Sequence, residues 1–122
     1  MEFQSIVIGL LLLISSLQVQ LQKAEAEVIK DSIMQCESGG NPLAINTDDA
    51  KITGSPSFGL YQFQPLTFLK YGIKYKIFSE KTTLKEAMKY IKNPAYNAAV
   101  AHAMIDDGLA PQHWVNCYSK IR

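Results

Sequence analysis

The chain has 122 residues, 48% of them apolar and 19% charged, with a net charge of +1. That length holds one domain. The near-balance of charge excludes a basic nucleic-acid binder and an acidic disordered tail.

The first segment stands apart from the fold. Ile6 to Leu17 reads I-V-I-G-L-L-L-L-I-S-S-L, an apolar run of about the length of a secretory h-region. Ala24-Glu25-Ala26 then supplies an A-x-A pattern suited to signal peptidase. Met1 to Ser5 contains Glu2 and neither Lys nor Arg, so the amino terminus alone brings positive charge there. Residues 1–26 are read as a signal peptide, with an uncleaved membrane anchor as the alternative, although the clean run is shorter than the ~20 residues a spanning helix needs. Either way residues 27–122 are exported, to the periplasm, the cell wall or the outside. A membrane is met only through the N-terminal segment, if that is uncleaved. Cleavage after Ala26 takes Glu2, Lys23 and Glu25 from the 12 basic and 11 acidic residues, which raises the net charge to +2.

A domain this small benefits from a staple. Cys36 and Cys117 are its two cysteines, and in an oxidising compartment they are expected to pair. Two separate buried thiols are the alternative. A bridge would close a loop of about 80 residues, for a stabilisation of roughly 4 kcal/mol in the chain-entropy model.

Val28, Ile29, Ile33 and Cys36 form a helical stripe over Val28 to Glu37. Gly39, Gly40 and Pro42 stop it, which leaves Glu37 in the last turn. There the negative end of the helix dipole disfavours ionisation, and partial burial acts the same way. A general acid working near neutral pH needs that shift. An ordinary exposed glutamate is the alternative.

Leu43 to Pro56 is predicted as a polar loop. Asn46, Asp48 and Asp49 lack the D-x-D-x-D-G spacing and the distal glutamate of a calcium loop, so no metal is expected. Asp48 and Asp49 are candidates for a second carboxylate. Ser57 to Phe63 reads as a short extended or irregular segment, followed by a helix from Pro65 to Tyr71 that Gly72 stops. Lys74 to Lys81 interleaves Tyr75, Lys76, Phe78 and Lys81, which suits lysines snorkelling over a core better than ring stacking on bases or sugars.

Thr83-Leu84-Lys85-Glu86 is a capping box opening a helix to about Lys92. Asn93 and Pro94 serve as N-cap and first residue of an Ala-rich helix, Ala95 to Asp107, ended by Gly108. Pro111 starts a last helix with Trp114, Cys117, Tyr118 and Ile121 on one face. His102 and His113 have no H-E-x-x-H spacing, the cysteines form no C-x-x-C pair, and no nucleophile elbow or phosphate loop occurs. Both histidines read as packing or surface residues, and no cofactor is expected.

Glu37-Ser38-Gly39-Gly40-Asn41-Pro42, followed by Ser57-Phe58-Gly59-Leu60-Tyr61-Gln62, resembles the lytic transglycosylase and goose-type lysozyme group. Asn93 to Lys120 is similar more loosely. The resemblance implies a mainly α, lysozyme-like helical domain with a glycan-binding cleft. It makes Glu37 the catalytic acid and Ser57 the hydrogen-bonding support of that glutamate. Gln62 becomes a glycan contact and Gly59 a point of close backbone approach to substrate. Tyr61 and Asn97 join the binding or supporting set. Tyr96 is added from Ala95-Tyr96-Asn97-Ala98, a partial match to a segment that in the group carries a glycine.

The activity implied is cleavage of the β-1,4 bond between N-acetylmuramic acid and N-acetylglucosamine in peptidoglycan glycan strands. A lytic transglycosylase needs one glutamate, whereas a lysozyme-type hydrolase would draw on an aspartate such as Asp48 or Asp49. The alternatives are a wall-binding module without turnover, or an accessory subunit that partners the proteins of an envelope-spanning machine.

Overall fold

The computed structural model describes residues 2–121, and the chain is mainly helical. Helix α1 runs unbroken from Glu2 to Ser38, about 55 Å at 1.5 Å per residue. This corrects the expectation of a separate helix beginning at Val28. Residues 18–27 contain only Gln, Val, Leu, Lys, Ala and Glu, with no Gly or Pro to interrupt the backbone hydrogen bonds. The helix is long and apolar enough to cross a membrane, with mean hydropathy 1.7 over an 18-residue stretch. Its last turns belong to the globular part, where Lys30 and Ile33 are buried. Lys30 Nζ lies 3.0 Å from carboxylate oxygens of both Glu27 and Asp106, which ties α1 to a later helix.

The loop expected at Leu43 to Pro56 has structure of its own. Strand β1 (Ile45–Asn46) pairs antiparallel with β2 (Ser57–Phe58), Ile45 opposite Phe58 and Asn46 opposite Ser57. Between them lie a 3-10 turn, Thr47–Asp49, and the short helix α2, Ala50–Thr53. Asn46 caps that turn by accepting the Asp48 N–H at 3.0 Å, a local bond open to any Asn two residues before a free amide.

Helix α3 (Pro65–Lys74) passes through Gly72 instead of stopping there. A Cβ at Gly72 would overlap the Phe78 ring, so this glycine lets the following loop pack flat on the helix. The capping box of α4 (Leu84–Tyr90) is formed as expected, Thr83 Oγ1 accepting the Glu86 N–H at 3.2 Å. Asn93 caps α5 (Pro94–Asp106) with bonds of 2.9 and 3.3 Å from the Ala95 and Tyr96 amides. The single last helix is corrected to two, α6 (Ala110–His113) and α7 (Val115–Ser119). They part at Trp114, whose φ of −106° and ψ of 57° leave the helical region. Its indole is 3% exposed and donates to the Tyr61 carbonyl at 2.9 Å, so the break coincides with that anchoring.

An aromatic chain fills the core. Phe63 lies 5.5 Å from Phe68 and 5.8 Å from Trp114, and Phe68 lies 5.2 Å from Phe78, centroid to centroid. These separations suit tilted and edge-to-face rings. Ile33, Ile91, Val100 and Met104 close around them. Asn97 is the polar post of this core and is fully buried. Its Oδ1 accepts the Tyr61 N–H at 2.9 Å, and its Nδ2 donates to Ile91 O at 2.8 Å and Phe58 O at 3.2 Å.

Replacing Asn97 by Ala strands the Tyr61 amide and two carbonyls, and is expected to cost roughly 2–4 kcal/mol in urea unfolding at constant m-value. The paired substitution of Cys36 and Cys117 by Ser is expected to lower stability by about 4 kcal/mol through the longer reach of the unfolded chain, read as a shift of the urea midpoint under oxidising conditions.

Candidate active site

A cleft of about 430 Å³ opens where the end of α1, the β-hairpin and the last two helices meet. Glu37 lies in it, one residue before the end of α1. Gly39 and Gly40 follow with φ of 63° and 82°, and the Gly39 N–H closes the final turn on Gln35 O at 3.0 Å. The neighbouring Cys36 is bonded to Cys117 of α7, with Cα atoms 5.7 Å apart. This is the expected bridge, and it fastens the far wall of the cleft beside Glu37.

The Glu37 carboxyl accepts no hydrogen bond from the described residues. Burial, together with the negative charge of Asp49, pushes its pKa from 4.5 up to about 7, against a smaller opposing effect of Lys120. A buried carboxylate loses the water that stabilises its charged form, and a like charge nearby adds to the cost.

Asp49 is the acidic partner, and its position is built. Ser57 Oγ donates to Asp49 Oδ2 at 2.6 Å and accepts from Gln64 Nε2 at 3.0 Å. Thr53 Oγ1 in turn donates to Gln64 Oε1 at 3.0 Å. A hydrogen bond to a carboxylate is among the stronger neutral-to-ion contacts. Ser57 therefore holds Asp49, which corrects the expectation that it bonds Glu37. The other aspartate faces away: Asp48 is exposed, pairs with Lys51 at 3.5 Å, and does not line the cleft.

Gln62 lines the cleft with φ of 53°. Its Nε2 donates to Ala44 O at 3.1 Å and Gly59 O at 2.9 Å, which uses the amide nitrogen internally and leaves Oε1 facing no partner among the described residues. The turn it closes is a tight one: Phe58 and Phe63 exchange both backbone hydrogen bonds at 2.9 Å.

Four further expectations, Gly59, Tyr61, Tyr96 and Asn97, move out of the cleft. Gly59, at φ 84°, is a close-approach glycine, but the approach is internal: a Cβ there would overlap the Asn97 amide and meet Ile91 O at 2.7 Å. Tyr61 is 1% exposed, its hydroxyl donating to Lys30 O at 3.1 Å and lying 3.0 Å from His102 Nε2. With its one proton used on Lys30 O, the Tyr61 oxygen accepts from His102, which puts the histidine proton on Nε2. Tyr96 packs on Phe78 and Tyr90, at 5.8 and 4.6 Å between ring centroids, outside the cleft lining. Asn97 supports the same turn from within.

Residues that sequence reasoning left out of the cleft are Asn46, Thr53, Gln64, His113, Trp114, Asn116 and Lys120. The sequence reads His113 as a packing or surface residue, and it packs on Trp114 at 4.4 Å. It also faces the cleft, where burial lowers its pKa and keeps it neutral at pH 7. His113, Trp114, Asn116 and Lys120 come from a segment whose resemblance is loose, and the disulfide was the stronger pointer toward the terminal helix.

The sign of the Glu37 shift gives a test by unfolding. Between 4.5 and about 7 the native state holds a proton that the unfolded state releases, so stability falls as pH rises through that window. Glu37→Gln removes this loss. The variant is expected to match wild type below pH 4.5 and to exceed it above pH 7, by on the order of 1–2 kcal/mol once solvent screening of a partly exposed carboxyl is allowed for, in urea midpoints converted with the common m-value.

The transglycosylase SLT domain family matches residues 17–112, from within α1 to the middle of α6. Neither a curated protein nor a solved structure gives a match to the chain. The matched span covers well over half of the sequence, including Glu37, the hairpin and the Asn97 helix: the chain belongs to the transglycosylase SLT domain family.

Proposed function

We propose that the protein is a peptidoglycan lytic transglycosylase that cuts the bond between N-acetylmuramic acid and N-acetylglucosamine, with Glu37 as its catalytic group. The observation that carries this reading is a partly buried carboxyl, Glu37, set beside Asp49 in the cleft of an SLT domain, where burial and that charge push its pKa up to about 7. A group that must first give a proton and then take one works best with a pKa near the operating pH.

Protonated Glu37 donates to the glycosidic oxygen as its bond to C1 breaks, and that oxygen leaves as the 4-hydroxyl of N-acetylglucosamine. C1 gains oxocarbenium character, as in glycoside cleavage generally. The Glu37 carboxylate then takes the proton of the muramic sugar's own 6-hydroxyl, whose oxygen closes on C1. The product is a 1,6-anhydro ring, Glu37 ends protonated, and no water is consumed. Gln62 offers Oε1 to a sugar hydroxyl, and the Gln64–Ser57–Asp49 chain keeps a negative charge where it holds the proton on Glu37.

That same Asp49 favours one second reading, a muramidase in which it guides an attacking water. Residues 27–122 are the catalytic unit in either case, and residues 1–26 export it or anchor it. In the anchored form the unbroken α1 would place Glu37 roughly 24 Å beyond Leu21 along the helix axis.

The test is digestion of purified peptidoglycan by the full-length chain in detergent, with fragments weighed by mass spectrometry. Anhydro-ended fragments are expected, with a rate about 10²–10⁴-fold lower for Glu37→Gln. Reducing-ended fragments that vanish in Asp49→Asn would select the muramidase. Equal cutting by wild type and Glu37→Gln would remove Glu37 from the mechanism.

A further inference from the structure

Lys120 follows α7 at the C-terminal wall of the cleft, beyond the 17–112 span that the family accounts for. The titratable groups around it in the cleft are Glu37, Asp49 and His113. With His113 held neutral by burial, Lys120 is the one cation among the described residues of the lining. Lys120 is exposed and, like most lysines here, forms no ion pair with a described residue; what sets it apart is its place in the cleft lining.

The backbone at Lys120 is tied to the cleft wall. The Lys120 N–H bonds to Cys117 O at 3.2 Å, and Cys117 is covalently joined to the residue before Glu37. The ammonium this residue carries works against the proposed acid, since its positive charge favours the ionised form of Glu37. A cation with no ion pair among the described residues, which by itself opposes the reaction, becomes useful once a bound anion neutralises it.

We propose that Lys120 is a specificity-determining residue that reads a carboxylate on the bound glycan strand. The proposal rests on the reading of Glu37 given above. N-acetylmuramic acid differs from N-acetylglucosamine by a lactyl ether ending in a carboxyl group. Where no peptide is attached, that group is a free carboxylate. Where a peptide is attached, it is an amide, and the peptide brings carboxylates of its own. Both sources offer the ammonium the same charge-assisted hydrogen bond. Seating the anion cancels the one charge that opposes protonation of Glu37, so binding an acidic strand prepares the acid as it docks. A neutral strand leaves the opposition in place.

The experiment uses the full-length chain in detergent, as wild type, Lys120→Gln and Lys120→Arg. KM and kcat are measured on three oligomers of equal length: N-acetylglucosamine alone, the peptide-free alternating polymer, and the peptide-bearing polymer. The preference of wild type for acidic over neutral oligomers, taken as the ratio of KM values, is expected to fall about three- to tenfold in Lys120→Gln. Lys120→Arg is expected to restore it. In wild type the alkaline limb of kcat should lie at higher pH on acidic than on neutral oligomers, and the two should converge in Lys120→Gln. A change confined to the peptide-free polymer assigns the lactyl carboxylate, and one confined to the peptide-bearing polymer assigns the peptide. An unchanged KM ratio in Lys120→Gln, or an equal loss on all three oligomers, overturns the proposal. If wild type cuts none of them, the reading of Glu37 fails separately. The same affinity ratio, measured by calorimetric titration of the three oligomers, then decides Lys120 by the same criterion.

Discussion

The Cys36–Cys117 bond is the constraint on which the cleft depends. It joins the last turn of α1 to α7, a helix of five residues with one buried side chain, Cys117 itself. A helix that short has little stability of its own, and its further anchors are the preceding tryptophan, buried against Tyr61, and the partly buried Tyr118 and Ile121, which pack on the core. Through these ties the chain terminus becomes the wall facing Glu37, and Asn116 and Lys120 enter the cleft. The bond also explains how a small domain keeps a groove at all. A groove is surface withheld from the core, and a covalent link offsets that loss without requiring further buried area.

The other wall is rigid for a different reason. The turn from Phe58 to Phe63 is closed by its own backbone pair, and it is held from behind by Asn97 and from the side by Trp114. Almost every polar atom in it already has a partner inside the protein. What faces outward is therefore small: Oε1 of Gln62 and the Ser57–Asp49 pair. Preorganisation of this kind means that little has to be ordered when a glycan arrives. Glu37, by contrast, has no hydrogen-bond partner among the described residues, and its proton affinity is set by burial and by the charges of Asp49 and Lys120.

Much of this was legible in the sequence because it depends on neighbours along the chain. The cap at Asn93, the box at Thr83 and Glu86, the end of α1 before Gly39, and the place of Glu37 in that last turn all follow from residues within about four positions. The same logic explains the errors. Gly72 looks like a helix stop until Phe78 is found lying on it. The last helix looks continuous until Trp114 is pulled inward to Tyr61. Asp48 and Asp49 are indistinguishable as letters, yet only one of them meets Ser57.

By itself, then, the sequence determined the helical class, the family pattern around Glu37 and Gln62, and the apolar N-terminal segment, and it offered two cysteines as a pair that the structure joins. Local hydrogen bonding, periodicity and motif spacing are properties of short stretches and can be read without coordinates. Tertiary structure alone decided that Ser57 serves Asp49, that Gly59, Tyr61 and Asn97 are the frame of the site, and that Lys120 shares the cleft with Glu37. Those facts join residues from 8 to more than 80 positions apart, and only the packed chain brings their atoms within reach of a hydrogen bond or an unscreened charge.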